Sequence, residues 1–174
     1  MENPLTAWRS LLDRHPFAKD VVWGAFEFAL TFLIFYWFTL AIHEWCHLNV
    51  LRYFGGDGYI IRTWFGAGVV FTSQPLYPQL VAFAGGIGIA IFYTFLCFMD
   101  WDDDIESAAA LIPLICSQLA YGIVEGFFIF NVSAKTFSRY ASQALTVGWI
   151  VGLILSIIVI VEWLVKLNAK YSKK

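Results

Sequence analysis

The chain has 174 residues, of which 60% are hydrophobic, 19% aromatic and only 14% charged. Soluble domains carry about 25% charged residues, so composition excludes an ordinary soluble protein and predicts one compact domain integral to a membrane. A formal net charge of −2 gives no argument for nucleic acid or another polyanion, which leaves the lipid bilayer as the first expected partner.

In chain order, Pro4 to His15 follow an Asn3 cap and stop before Pro16, with Trp8, Leu11 and Leu12 apolar and Arg9 and Arg14 polar. This pattern predicts a short helix in the membrane interface, making residues 1–20 an N-terminal unit and 21–174 a single transmembrane domain. Four apolar stretches then meet the requirement of about 20 residues per span, at roughly 21–53, 80–99, 108–130 and 145–167. Trp23, Trp101 and Trp163 fall at ends that would share one membrane face, and Tyr53, Tyr77, Tyr140 and Trp149 near the other, like two aromatic belts. Between the first two spans, Tyr59–Phe65 and Val69–Ser73 are β-branched and aromatic, and Gly66-Ala67-Gly68 separates them. That segment predicts a β-hairpin or a pair of extended strands at the membrane surface. The fold class expected is thus an all-α, multi-pass membrane protein with four spans and a hairpin after the first. Cys46, Cys97 and Cys116 all lie in apolar stretches and imply no disulfide framework.

The sharpest feature is His43-Glu44-Trp45-Cys46-His47, an H-E-x-x-H motif near the end of the first span. Imidazoles four residues apart stack on one helix face and can share one tetrahedral zinc ion, with Glu44 in reach of a water on the metal as general base. Ionisable groups in hydrocarbon are expensive and mark functional sites by default. A catalytic zinc takes three protein ligands, so one more is needed. His15 precedes the first span and falls at the opposite face, which leaves the carboxylates Glu27, Glu125 and Glu162. Depth separates them. His47 lies six residues before Tyr53 and Glu125 six before Asn131, in spans running the same way. At about 1.5 Å per residue both are roughly 9 Å inside the same face. Glu27 belongs to the far side, and Glu162 has Lys166 one turn on as an ion-pair partner. Glu125 is therefore the expected third ligand, its competing role being a helix-packing hydrogen bond. Gln118, Tyr121, Gly122 and Glu125 form one polar stripe. Gln118 could donate to a substrate oxyanion or simply bond another helix. Gly85, Gly86 and Gly88 in the second span fall near the histidine face and permit close packing.

At these residues the chain resembles the site-2 proteases, the intramembrane zinc metalloproteases. The H-E-x-x-H segment is similar to the family's motif on its first core helix. Ala84-Gly85-Gly86 is similar to the start of its second motif, and Val124-Glu125-Gly126 stands where the family has a Leu-Asp-Gly motif. Glutamate replaces the family's aspartate, and the second motif's proline and asparagine are absent. The resemblance implies a peptide hydrolase holding one zinc ion through His43, His47 and Glu125, with Glu44 as the catalytic residue and a transmembrane protein as substrate. A substrate helix hides its backbone and must unwind before cleavage. The strand around Ile60, Arg62 and Thr63 is the expected edge on which it would pair, with Gln118 as a further substrate contact. The alternative is a metal-binding pseudoprotease subunit that grips a partner helix without cleaving it. Basic residues outnumber seven to four on the face of the termini, which would put that face in the cytoplasm; the resemblance implies the reverse.

Overall fold

The computed structural model describes residues 14–63, 66–101 and 104–172. Helix α1 (Pro16–Tyr53) is followed by strands β1 (Asp57–Thr63) and β2 (Gly66–Ser73), then by helices α2 (Pro78–Asp100), α3 (Ile105–Phe128) and α4 (Ala134–Tyr171). All four helices are long and apolar enough to cross a membrane, so the chain is a multi-pass membrane protein with a two-stranded hairpin after its first span.

Pro16 opens α1 at the first helical position, where its missing N–H has no helical partner to lose. Residues 16–20 therefore continue the first span's helix instead of ending the N-terminal segment. Of the interfacial helix expected over Pro4–His15, only Arg14 and His15 are among the described residues. At its other end α1 closes through Gly55, whose φ of 77° is a left-handed conformation that glycine adopts without penalty. Gly55 N–H and Gly56 N–H then donate to the Arg52 and Leu51 carbonyls, and the chain turns into β1.

The hairpin is antiparallel, with Thr63 opposite Gly66, Arg62 opposite Ala67 and Ile61 opposite Gly68. The glycines expected to form the turn belong to β2. A Cβ on Gly66 or Gly68 would meet nothing within 4 Å, so neither is required by packing. The last helix also differs from expectation, starting at Ala134 instead of about residue 145. Ser133 caps it by accepting from Thr136 N–H at 3.3 Å, and no proline or glycine interrupts 134–147. Hydropathy located the apolar part of α4; the helix itself extends beyond it into the charged turn of Lys135 and Arg139.

Helix α3 is central. On α4 the buried small residues Gly148, Gly152 and Ser156 recur every fourth position and form the ridge that lets two backbones meet. A Cβ on Gly152 would sit 2.5 Å from Pro113 Cα, and one on Gly148 2.6 Å from Ser117 Cα. Ser156 Oγ donates to the Ala109 carbonyl at 2.9 Å. We expect Gly152→Val to push α4 off α3 and lower stability by about 1–3 kcal/mol, read by unfolding in mixed detergent micelles. Gly66→Ala should stay within about 0.5 kcal/mol of wild type. On the other side of α3, Ile89, Tyr93, Cys97, Ala108, Leu111 and Leu114 make the core with α2.

Helix α1 is the least covered span, and what it buries is informative. Besides Gly24, its buried residues are Thr39, His43, Glu44, His47 and Leu51, while Trp37 is 81% exposed and Trp45 61%. A membrane helix that shows tryptophan outward and folds histidine and glutamate inward is using its polar residues as the interface. Tyr93 hydroxyl donates to the Phe35 carbonyl at 2.9 Å and lies 3.1 Å from Thr39 Oγ1, tying α2 to this face. Trp149, placed by sequence in an aromatic belt, instead packs against Phe32 and Tyr36 and joins α4 to α1. Tyr53 and Tyr77 are exposed as a belt requires.

Candidate metal centre

The four-residue spacing puts His43 and His47 on one face of α1, and both rings are buried. Their outer nitrogens are held by neighbouring helices. His47 Nδ1 lies 2.6 Å from the Val81 carbonyl on α2. A carbonyl only accepts, so Nδ1 carries the proton and Nε2 presents a lone pair. His43 Nδ1 lies 3.1 Å from Gln118 Oε1 on α3, and the same logic turns its Nε2 inward. Tyr121 packs edge-on to the His43 ring at 5.4 Å.

The two Nε2 atoms are 3.0 Å apart, and each is 3.4 Å from Glu125 Oε2. Glu125 is buried, and Oε2 is the one fully buried side-chain oxygen or nitrogen among the described residues with no hydrogen-bond partner. With both rings neutral, two lone pairs and a carboxylate oxygen face one another, an arrangement that costs free energy unless a cation or a shared proton occupies its centre. His43, His47 and Glu125 form the group that could hold a metal ion. Outer-sphere bonds fixing the tautomers, as Gln118 and Val81 do here, are what metal-ligating histidines normally have.

Small residues make the space. A Cβ on Gly85 would collide with His47 Nε2 and sit 2.5 Å from His43 Nε2, and one on Gly88 would lie 2.8 Å from Cys46 Sγ. Gly86 and Gly122 bring the backbones of α2 and α3 together, with a Gly122 Cβ only 2.7 Å from Ile87 N. The polar stripe of α3 therefore faces inward: Gln118 and Tyr121 meet His43, Gly122 meets α2, and Glu125 closes the triangle.

Glu44 is buried beside the cluster and close enough to interact electrostatically with His43, His47 and Glu125. It forms no hydrogen bond or ion pair with any described residue, whereas Glu162 is taken by Lys166 at 2.9 Å. Ile60, Arg62 and Thr63 lie on β1 opposite Val69, Ala67 and Gly66, outside the metal-holding group. Ser117, next to Gln118, donates to Leu114 O of its own helix. The Val81 carbonyl had no signal in the sequence, because a backbone acceptor leaves no trace in residue type. We expect Gln118→Ala to weaken metal binding about 10–100-fold, measured by competition with a chelator, because His43 loses the bond that fixes its tautomer.

No protein-family model, curated protein or solved structure matches this chain. The class of protein that fold and site define is accordingly a four-span membrane protein with a buried His-His-Glu group able to hold a metal ion.

Proposed function

We propose that this chain is an intramembrane zinc endopeptidase of the site-2 protease type. The observation that carries the reading is the buried convergence of His43, His47 and Glu125 with Glu44 alongside. Two imidazoles and a carboxylate, with a fourth position left for water, are a donor set characteristic of catalytic zinc. Their separations of 3.0, 3.4 and 3.4 Å lie near the roughly 3.3 Å edge of a tetrahedron with ~2.0–2.1 Å bonds. Bound there, zinc supplies a Lewis acid that acidifies water and polarises a peptide carbonyl. Glu44, lacking a competing partner, accepts the proton of the attacking water at its carboxylate and returns it to the leaving amine. Gln118 and Val81 accept at the Nδ1 atoms and so aim both Nε2 atoms inward.

The substrate is a transmembrane segment of another protein, whose helix must open to expose a peptide bond. Each strand of the hairpin has one edge without a sheet partner among the described residues. β1, which holds Ile60, Arg62 and Thr63, has one such edge, and an unwound segment would add there as a further strand. The test compares bound zinc and cleavage of a helix-destabilised transmembrane reporter for wild type and Glu44→Gln. Zinc retained with cleavage lost in the variant is the expected result. Zinc bound with no reporter cleaved by the wild type would replace the enzyme with a metal-binding subunit.

A further inference from the structure

A cavity of about 720 Å³ lies between the α1 and α4 ends and the α2–α3 junction, roughly 30 Å along α1 from His43 at ~1.5 Å per residue. It is lined by Trp23, Trp101 and Trp163 and by Lys19, Lys166 and Lys170. Tryptophan and snorkelling lysine together mark the level of lipid headgroups. Two carboxylates, Asp20 and Glu106, complete the lining.

The two kinds of charge are not equally engaged. Lys170 meets Asp20 at 3.5 Å and Lys166 meets Glu162 at 2.9 Å. Both lysines are largely exposed, so these pairs hold them only weakly against a stronger anion. Glu106 makes no ion pair with any described residue; Asp104, which shares a side-chain hydrogen bond with it, and Glu27 both have its own sign. Its Oε1 and the Trp163 ring both lie over Gly24, where an added Cβ would be 2.9 Å from each. A carboxylate beside an indole suits an ammonium group. The three lysines lining the same cavity suit a phosphate. The neighbouring exposed surfaces, Val22 and Phe26 on α1 with Val161 and Val165 on α4, are apolar and would lie along acyl chains.

We propose that this cavity binds the headgroup of a zwitterionic phospholipid, its amine held by Glu106 and the tryptophans and its phosphate by Lys19, Lys166 and Lys170. The site stands apart from the metal centre and does not depend on the activity assigned to it. The experiment is native mass spectrometry of the full chain in detergent, titrated with phosphatidylethanolamine, phosphatidylcholine and phosphatidylglycerol of matched chains. We expect one retained zwitterionic lipid, favoured about tenfold over phosphatidylglycerol. Glu106→Gln should erase that preference, and the double variant Lys166→Gln, Lys170→Gln should weaken all three lipids, with thermal unfolding unchanged. If Glu106→Gln does not fold, Trp101→Leu should lower the same preference. Preference for phosphatidylglycerol in the wild type would overturn the proposal, as would a preference indifferent to Glu106→Gln. Occupancy by phosphocholine in place of an equimolar lipid would overturn the assignment to lipid.

Discussion

Glu44→Gln is expected to lower cleavage of a transmembrane reporter at least about 100-fold, within the range of 10² to 10⁴ that a positioned general base contributes. The amide keeps the size of the side chain and cannot take a proton. Because Glu44 lies beside the metal-holding group and not within it, bound zinc should remain near one per chain. The contrast between the two readouts is the informative part. A misfolded variant would lose both, whereas a residue serving only helix packing would lose neither. Thermal unfolding in detergent, measured on the same preparation, should be unchanged with zinc present.

His47→Ala and Glu125→Ala should each reduce zinc affinity by more than the 10–100-fold expected for outer-shell partners such as Gln118. Each removes one corner of a three-donor triangle and leaves the other two without a third point. The effect should also appear as stability. A ligand that binds only the folded chain stabilises it by about 2.7 kcal/mol at a hundredfold excess over its Kd, so wild-type protein should melt higher with zinc than with chelator. Neither variant should show that difference. If Glu125 served only as a hydrogen-bonding residue between helices, Glu125→Ala would lower the melting point equally with and without zinc, and the zinc-dependent increment would survive.

The metal-holding triangle was legible in the sequence because its parts obey rules that do not depend on tertiary detail. The i, i+4 spacing puts His43 and His47 on one face, and helix rise alone places Glu125 at their depth. The hairpin was legible from β-branched and aromatic residues, but its turn was not. Gly66 and Gly68 read as turn residues, yet the register pairs both within the ladder. The start of α4 was missed because hydropathy registers only apolar stretches, and the first turns after the Ser133 cap are helical but polar. Trp149 was assigned to the interface by residue type, although its position on α4 faces the aromatic rings of α1. The Val81 carbonyl lay beyond reach for a different reason. It depends on how α2 packs against α1, which Gly85 and Gly88 permit without specifying.

One divalent ion shared by α1 and α3 is what the proposed chemistry requires. An anomalous difference map at the zinc edge, from crystals grown with added zinc, tests it most directly. The predicted result is one peak within about 2.0–2.2 Å of His43 Nε2, His47 Nε2 and a Glu125 carboxylate oxygen. A map without density at that point, or with Glu125 turned out toward lipid while zinc sits elsewhere, would contradict it.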